Sequence, residues 1–299
     1  KYDFDIDVVE PNKAAALLSK KRNEEIDSDL QINYHESIQD LRGQYEAVII
    51  STNSNHRLEI IIELLSQVEV KVLILEKVVF QSIEEFKALE EVLKGKEIQV
   101  FVNHPRRMYS YYQQLKRELK ESNETISHIH ILGNDWGLAC NGLHFIDLAS
   151  FLMDQLPLSI SNHHLEEIIP SKRPGYIEFT GHLWVHYTKQ SSLLLSSLKG
   201  ENKATSIEII CAQHKFHIEE GGRAIISRFE NSKWLSDTPI KTPFQSELTM
   251  YLIEDILNGK SPNLTPLDTS KICHQSFIES LKNFSFKKSG EDYKRLPIT

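Results

Sequence analysis

The chain has little that would take it out of water. No apolar run approaches the roughly 18 residues that cross a bilayer, so no membrane role is expected. The opening KYDFDIDVVE lacks the apolar centre of a signal peptide. Cysteine is scarce. Cys140, Cys211 and Cys273 stand far apart without a C-x-x-C, which argues against a disulfide framework and fits a reducing, cytoplasmic setting. Three N-x-S/T triplets, at Asn123, Asn263 and Asn283, are therefore read as chance. Neither sign of charge dominates: 34 Lys and Arg against 42 Asp and Glu, interspersed, give −8. That balance argues against a general nucleic-acid binder. Repeats and low-complexity segments are missing as well. The most informative shortage is glycine: the first is Gly43, and G-x-G-x-x-G occurs nowhere.

What remains is ample for a core. With 40% apolar residues over 299 positions, one large domain or two ordinary ones are expected. The first hundred residues alternate. DFDIDVVE, LQINY, EAVIIST, KVLILEK and EIQVFVNH read as strands, with helical stretches such as NKAAALLSKKRNEE, NSNHRLEIIIELLSQ and SIEEFKALEEVLKGK between them. Helix-joined, fully apolar strands predict a doubly wound parallel α/β sheet that binds its ligand beyond the carboxyl ends of the strands. Each of these ends is polar: Glu10, then Ser51, Thr52 and Asn53, then Glu76 and Lys77, then Asn103 and His104.

After residue 125 the texture changes. SHIHILGND, YIEFTGHLWVHYT, SSLLLSSLK, ATSIEIICAQ, KFHIEE and RAIISRFE read as a largely antiparallel sheet. The helix GLACNGLHFIDLASFLMDQL interrupts them, and two helices around NGKSPNLTP close the chain. The expected domains are 1–104 and 105–299, the last helices packing back on the first. An exposed sheet face suggests a homodimer or homotetramer.

Two groups of residues could carry chemistry. Lys77, ending a buried strand, is either a solvated end cap paired with Glu76 or a proton-exchanging amine in a crevice. Cys140, His144, Asp147 and Phe151 share one helix face, so Asp147 could orient the His144 imidazole; a merely structural pair reads equally well. No metal site is expected, because H-x-x-D lacks further ligands. Glu10 could bond ribose hydroxyls and repel a 2′-phosphate, favouring NAD over NADP, or could be an ordinary strand-end acid. Arg106, Arg107, Lys172 and Arg173 could meet a phosphate or form a solvated basic rim.

STNSNH, EK, VNHPRR and GLHFIDLASFL, each on the expected element and in order along nearly the whole chain, resemble the glucose–fructose oxidoreductase / inositol dehydrogenase (Gfo/Idh/MocA) family. The resemblance implies an NAD-binding domain, a domain with an open antiparallel sheet, and hydride transfer between a nicotinamide and a sugar, nucleotide-sugar or cyclitol carbon. It implies proton handling by Lys77 and His144, with Asp147 one turn later. Glu76, Lys77, Ser51, Thr52, Asn53 and His56 fall to the cofactor, and Asn103, Arg107, Cys140, Asn141 and His144 to the substrate. There are three departures. Val78 replaces the proline of E-K-P, where the family often has a cis peptide that a non-proline residue disfavours. Cys140 replaces an aspartate, leaving its role to His144 and Lys77 or to Asn141, and opening the alternative of a non-catalytic dinucleotide- or sugar-binding sensor. The glycine-rich turn is lacking, so a segment is expected before Lys1. Without it, this stretch alone is expected to bind NAD poorly.

Overall fold

The computed structural model describes residues 5–25, 31–201, 205–220, 225–235 and 237–299. In chain order the elements are β1 (Asp5–Val9), α1 (Lys13–Glu24), β2 (Gln31–His35), β3 (Gln44–Ile50), α2 (Arg57–Gln67), β4 (Glu69–Glu76), α3 (Ile83–Leu93), β5 (Gln99–Asn103), α4 (Ser110–Glu121) and β6 (Ile126–Asn134). There follow α5 (Leu138–Met153), β7 (Pro157–Pro170), β8 (Ile177–Tyr187), β9 (Ser192–Leu198), β10 (Thr205–Cys211), β11 (Lys215–Glu220), β12 (Ile225–Glu230), β13 (Lys233–Trp234), β14 (Thr238–Pro239), α6 (Gln245–Leu257), β15 (Thr265–Pro266) and α7 (Leu267–Ser289). No helix among the described residues is long and apolar enough to cross a membrane.

β3, β4 and β5 are parallel neighbours, and β15 adds an antiparallel edge beside β5. β4 is apolar on both faces because both are covered. α2 and α3 bury Ile61, Leu64, Phe86 and Leu89, while Leu252 of α6 and Leu264 pack with Val72, Ile74 and Phe101. β1 and β2 form a separate parallel pair. Tyr45 on β3 reaches Asp7 on β1 tip to tip, its hydroxyl donating at 2.7 Å. A side-chain bond thus bridges β1 and β3, which share no backbone pairing among the described residues. The fold is a doubly wound parallel sheet in two described pieces, β1-β2 and β15-β5-β4-β3.

The second sheet has nine described strands, in the order β13-β12-β11-β10-β6-β9-β8-β7, with β14 beside β12. Only β6 and β9 pair in parallel. One face packs on α5 and α7. The other carries His128 on Ser192, and His130 and His182 on Ser196, each at 2.8 Å. Trp184 and Leu132 are exposed there. The chain then returns to the first sheet: α6 packs on β3, and α7 on β5 and β15. Beyond α7, the Ser54 hydroxyl donates to Ile298 O at 2.6 Å and Leu296 N to Gln81 O at 2.9 Å, near the carboxyl ends of β3 and β4.

Candidate functional site

β4 and β5 end side by side, and the first turns of α5 lie against them. Glu76, half-buried, accepts a hydrogen bond from Asn103 Nδ2 at 2.6 Å. Lys77 Nζ donates to Cys140 O at 2.8 Å and lies 3.3 Å from Cys140 Sγ. The Lys77–Val78 peptide is cis although no proline is present, contrary to the sequence expectation. The polar groups of this turn are held from two sides. The buried Arg57 donates to the carbonyls of Glu76 (2.7 Å), Val78 and Val79 (2.8 Å), and also to Thr52 O. His274, brought by α7, accepts Val79 N–H at 3.1 Å. Burial lowers the Arg57 pKa to about 10, and no described carboxylate forms an ion pair with it.

Gly137 caps the start of α5, and its φ of +79° suits glycine. A Cβ there would also lie 3.2 Å from Glu178 Oε1. Glu178 takes the amides of Ala139 (2.7 Å) and Cys140 (3.1 Å), an anion on a helix N-terminus. Burial pushes its carboxyl up to about 7, against the lowering pull of these amides and of Lys77. The unfolded chain ionises this group near 4.5, so it stabilises the fold least above pH 7. Glu178→Gln is therefore expected to gain about 3 kcal/mol relative to wild type between pH 4.5 and 7.5, at about 1.4 kcal/mol per unit. Urea melts at both pH values check this; a difference that does not change with pH would show Glu178 unperturbed.

His144 does not pair with Asp147. Its Nδ1 lies 3.3 Å from His104 Nδ1, the rings at 88°. Asp147 instead takes Arg107 Nε at 2.7 Å and the Thr265 hydroxyl. The reason is electrostatic: Arg107 offers Asp147 a permanent charge, whereas burial keeps His144 neutral, its pKa well below the usual histidine value. Nor are the two arginines a free rim. Arg106 is held by Glu220 at 2.6 and 2.9 Å, and the hydroxyls of Tyr111 and Tyr112 share that carboxylate. Lys172 and Arg173 are exposed, and Arg173 reaches Asn53 Oδ1 at 3.2 Å.

The structure therefore gathers Glu76, Lys77, Asn103, Cys140 and His144, with Arg107 and Asp147 behind them. Ser51, Thr52, Asn53 and His56 are exposed after β3. Glu10 ends β1 on the other piece of the sheet, its carboxylate accepting Asn12 N–H at 2.8 Å. Asn141 turns back to Trp136 O at 2.7 Å, which ties down the start of α5. Sequence reasoning placed His104 only among the strand ends and did not single out Arg57, Glu178, Ser270 or His274 as site residues. Arg57 had a signal: it shares a helix face with Ile61 and Leu64, a cation on an apolar stripe.

No protein-family model and no curated protein matches the chain. Solved structures do. A proposed NADPH-dependent oxidoreductase from Desulfitobacterium hafniense superposes with a TM-score of 0.70 at 12% identity, over 96% of this chain and 97% of that one. The dehydrogenase MviM from Clostridium difficile gives 0.63 at 16%, over 95% and 100%. The transcriptional regulator Gal80p from Kluyveromyces lactis gives 0.64 at 14%, over 92% and 83%. With the parallel sheet, the antiparallel sheet and the crevice between α5 and the strand ends, the chain has the two-domain fold of the Gfo/Idh/MocA oxidoreductases.

Proposed function

We propose that the protein is an NAD-dependent oxidoreductase acting on a hydroxyl carbon of a sugar, sugar derivative or cyclitol. One observation carries this reading: an amine, Lys77, is held on Cys140 O at the carboxyl end of a parallel strand, one helical turn before the neutral imidazole of His144. Lys77 takes or returns the proton of the reacting hydroxyl. His144 bonds the same oxygen. Asn103, held by Glu76, lines the wall beside them. Arg107 and Asp147 support the wall as an ion pair and bind no phosphate.

The described residues fit a dinucleotide in part. The exposed turn Ser51–Asn53, with His56, suits the nicotinamide ribose side, and Glu10 suits adenosine ribose hydroxyls and disfavours a 2′-phosphate. They sit on the two separate pieces of the sheet, between which the pyrophosphate turn would lie. A bound nicotinamide supplies the hydride exchange; the protein supplies alignment and proton handling. In this reading the exposed Lys172 and Arg173 would meet the diphosphate of a nucleotide sugar. The open sheet face is where a second copy would pack, giving a dimer or tetramer in the cytoplasm.

The test follows NADH absorbance across sugars, cyclitols and nucleotide sugars, with Lys77→Ala in parallel. The expected result is turnover on one class and a kcat loss of about 10³-fold in the variant, with NAD binding kept. NAD binding without turnover, unaltered by Lys77→Ala, would favour a sensor. The Gal80p likeness and the thiol at Cys140 are the observations behind that second reading.

A further inference from the structure

The imidazole of His144 ends a chain of buried polar groups that begins at a backbone amide. Val79 N–H donates to His274 Nε2 at 3.1 Å, so that nitrogen carries no proton. Burial holds His274 neutral, its pKa near 3, so its one ring proton is on Nδ1. That proton points at Ser270 O at 2.8 Å and Ser270 Oγ at 3.2 Å. The Ser270 hydroxyl is buried and needs an acceptor of its own. Its other contact is His104 Nε2 at 3.3 Å, which must then be the bare nitrogen of His104. His104 is fully buried and neutral too, its pKa down at about 4, so its proton is on Nδ1. It faces His144 Nδ1 at 3.3 Å. Two neutral rings meeting nitrogen to nitrogen share one proton, and the chain has placed it on His104. His144 Nδ1 is left as the acceptor.

We propose that His274, Ser270 and His104 are positioning residues that hold His144 in the tautomer with Nε2 protonated, so that it enters the reaction as a hydrogen-bond donor. Resting on the oxidoreductase reading, this divides the work. His144 Nε2–H bonds the substrate oxygen, as hydroxyl, alkoxide or carbonyl, and Lys77 is the group that exchanges the proton. The chain ends at an amide that cannot release its hydrogen, so it orients His144 without conducting protons to solvent. It also gives α7 a function in the first sheet. The last long helix supplies the two links, Ser270 and His274, that tie the turn after β4 to a ring on α5.

The experiment is long-range ¹H–¹⁵N correlation of the imidazoles in the free protein, wild type and Ser270→Ala, followed by kinetics. In wild type His144 should show the Nε2–H form, with His104 and His274 in the Nδ1–H form. Ser270→Ala removes one link and should leave His104 and His144 as mixtures, with the His274 tautomer unchanged. On a substrate, kcat should fall about tenfold while KM changes less than about twofold, and Ser270→Thr should restore kcat and the wild-type tautomers. An Nδ1–H form of His144 in wild type, or an unchanged tautomer in Ser270→Ala, overturns the proposal. The spectra need neither substrate nor cofactor. The expected tautomers without turnover on any sugar would uphold the chain and sink the oxidoreductase reading.

Discussion

Arg57→Met is expected to cost roughly 4 kcal/mol or more of folding stability, a large share of the 5–15 kcal/mol typical of a folded protein. Methionine fills much of the same space, so the loss is not a cavity. It is the stranding of carbonyls. Arg57 is 1% exposed and serves Thr52, Glu76, Val78 and Val79, all of them carbonyls at the ends of β3 and β4. Each buried group left unpaired costs about 1–3 kcal/mol. Arg57→Lys keeps the charge but cannot reproduce the planar fork, and should fall between wild type and methionine. Urea midpoints at constant m-value check the order. A methionine variant within about 1 kcal/mol of wild type would show that the turns hold without the guanidinium.

Acidification is expected to unfold the protein well above the pH at which carboxylates alone would do so. Histidine in the unfolded chain protonates near 6.5, whereas in the fold burial lowers His104 to about 4 and His274 to about 3, with His144 lowered as well. The unfolded state thus binds more protons in this window, and stability falls as pH drops from 6.5 toward 3. At about 1.4 kcal/mol per unit, His104 contributes roughly 3 kcal/mol of that loss and His274 roughly 5. Glu178 acts in the opposite sense, recovering about 3 kcal/mol as pH falls from 7 to 4.5. The net remains several kcal/mol. Urea melts from pH 7.5 to 4 should show a steep decline below 6.5, and His274→Gln should flatten it by about half. A flat profile over that range would mean the three rings are hydrated and chargeable in the fold.

What could be read from the sequence follows from what local patterns encode. KVLILE announced a strand covered on both faces, and its polar end announced the crevice, because burial and strand ends are local facts. Lys77 lies on Cys140, one turn before His144 on the same helix. The partners of the site residues are not legible in the same way, because partnership is settled by distant segments. Asp147 had two candidates, His144 three residues away and Arg107 forty positions earlier, and the permanent charge prevailed. The cis peptide at Val78 ran against the preference of its own residue type. The groups around it, Arg57 and His274, come from α2 and α7 and appear in no short window. Glu178 read as one acid in an alternating strand, and only folding brings it to the first turn of α5.

The exposure of α1 has a consequence for local motion. α1 buries none of its side chains, and Leu17 and Leu18 are exposed, whereas Leu73, Ile74 and Leu75 of β4 are fully buried. A helix with so few buried apolar contacts opens at a small fraction of the global free energy. Its amides should exchange with deuterium orders of magnitude faster than those of β4.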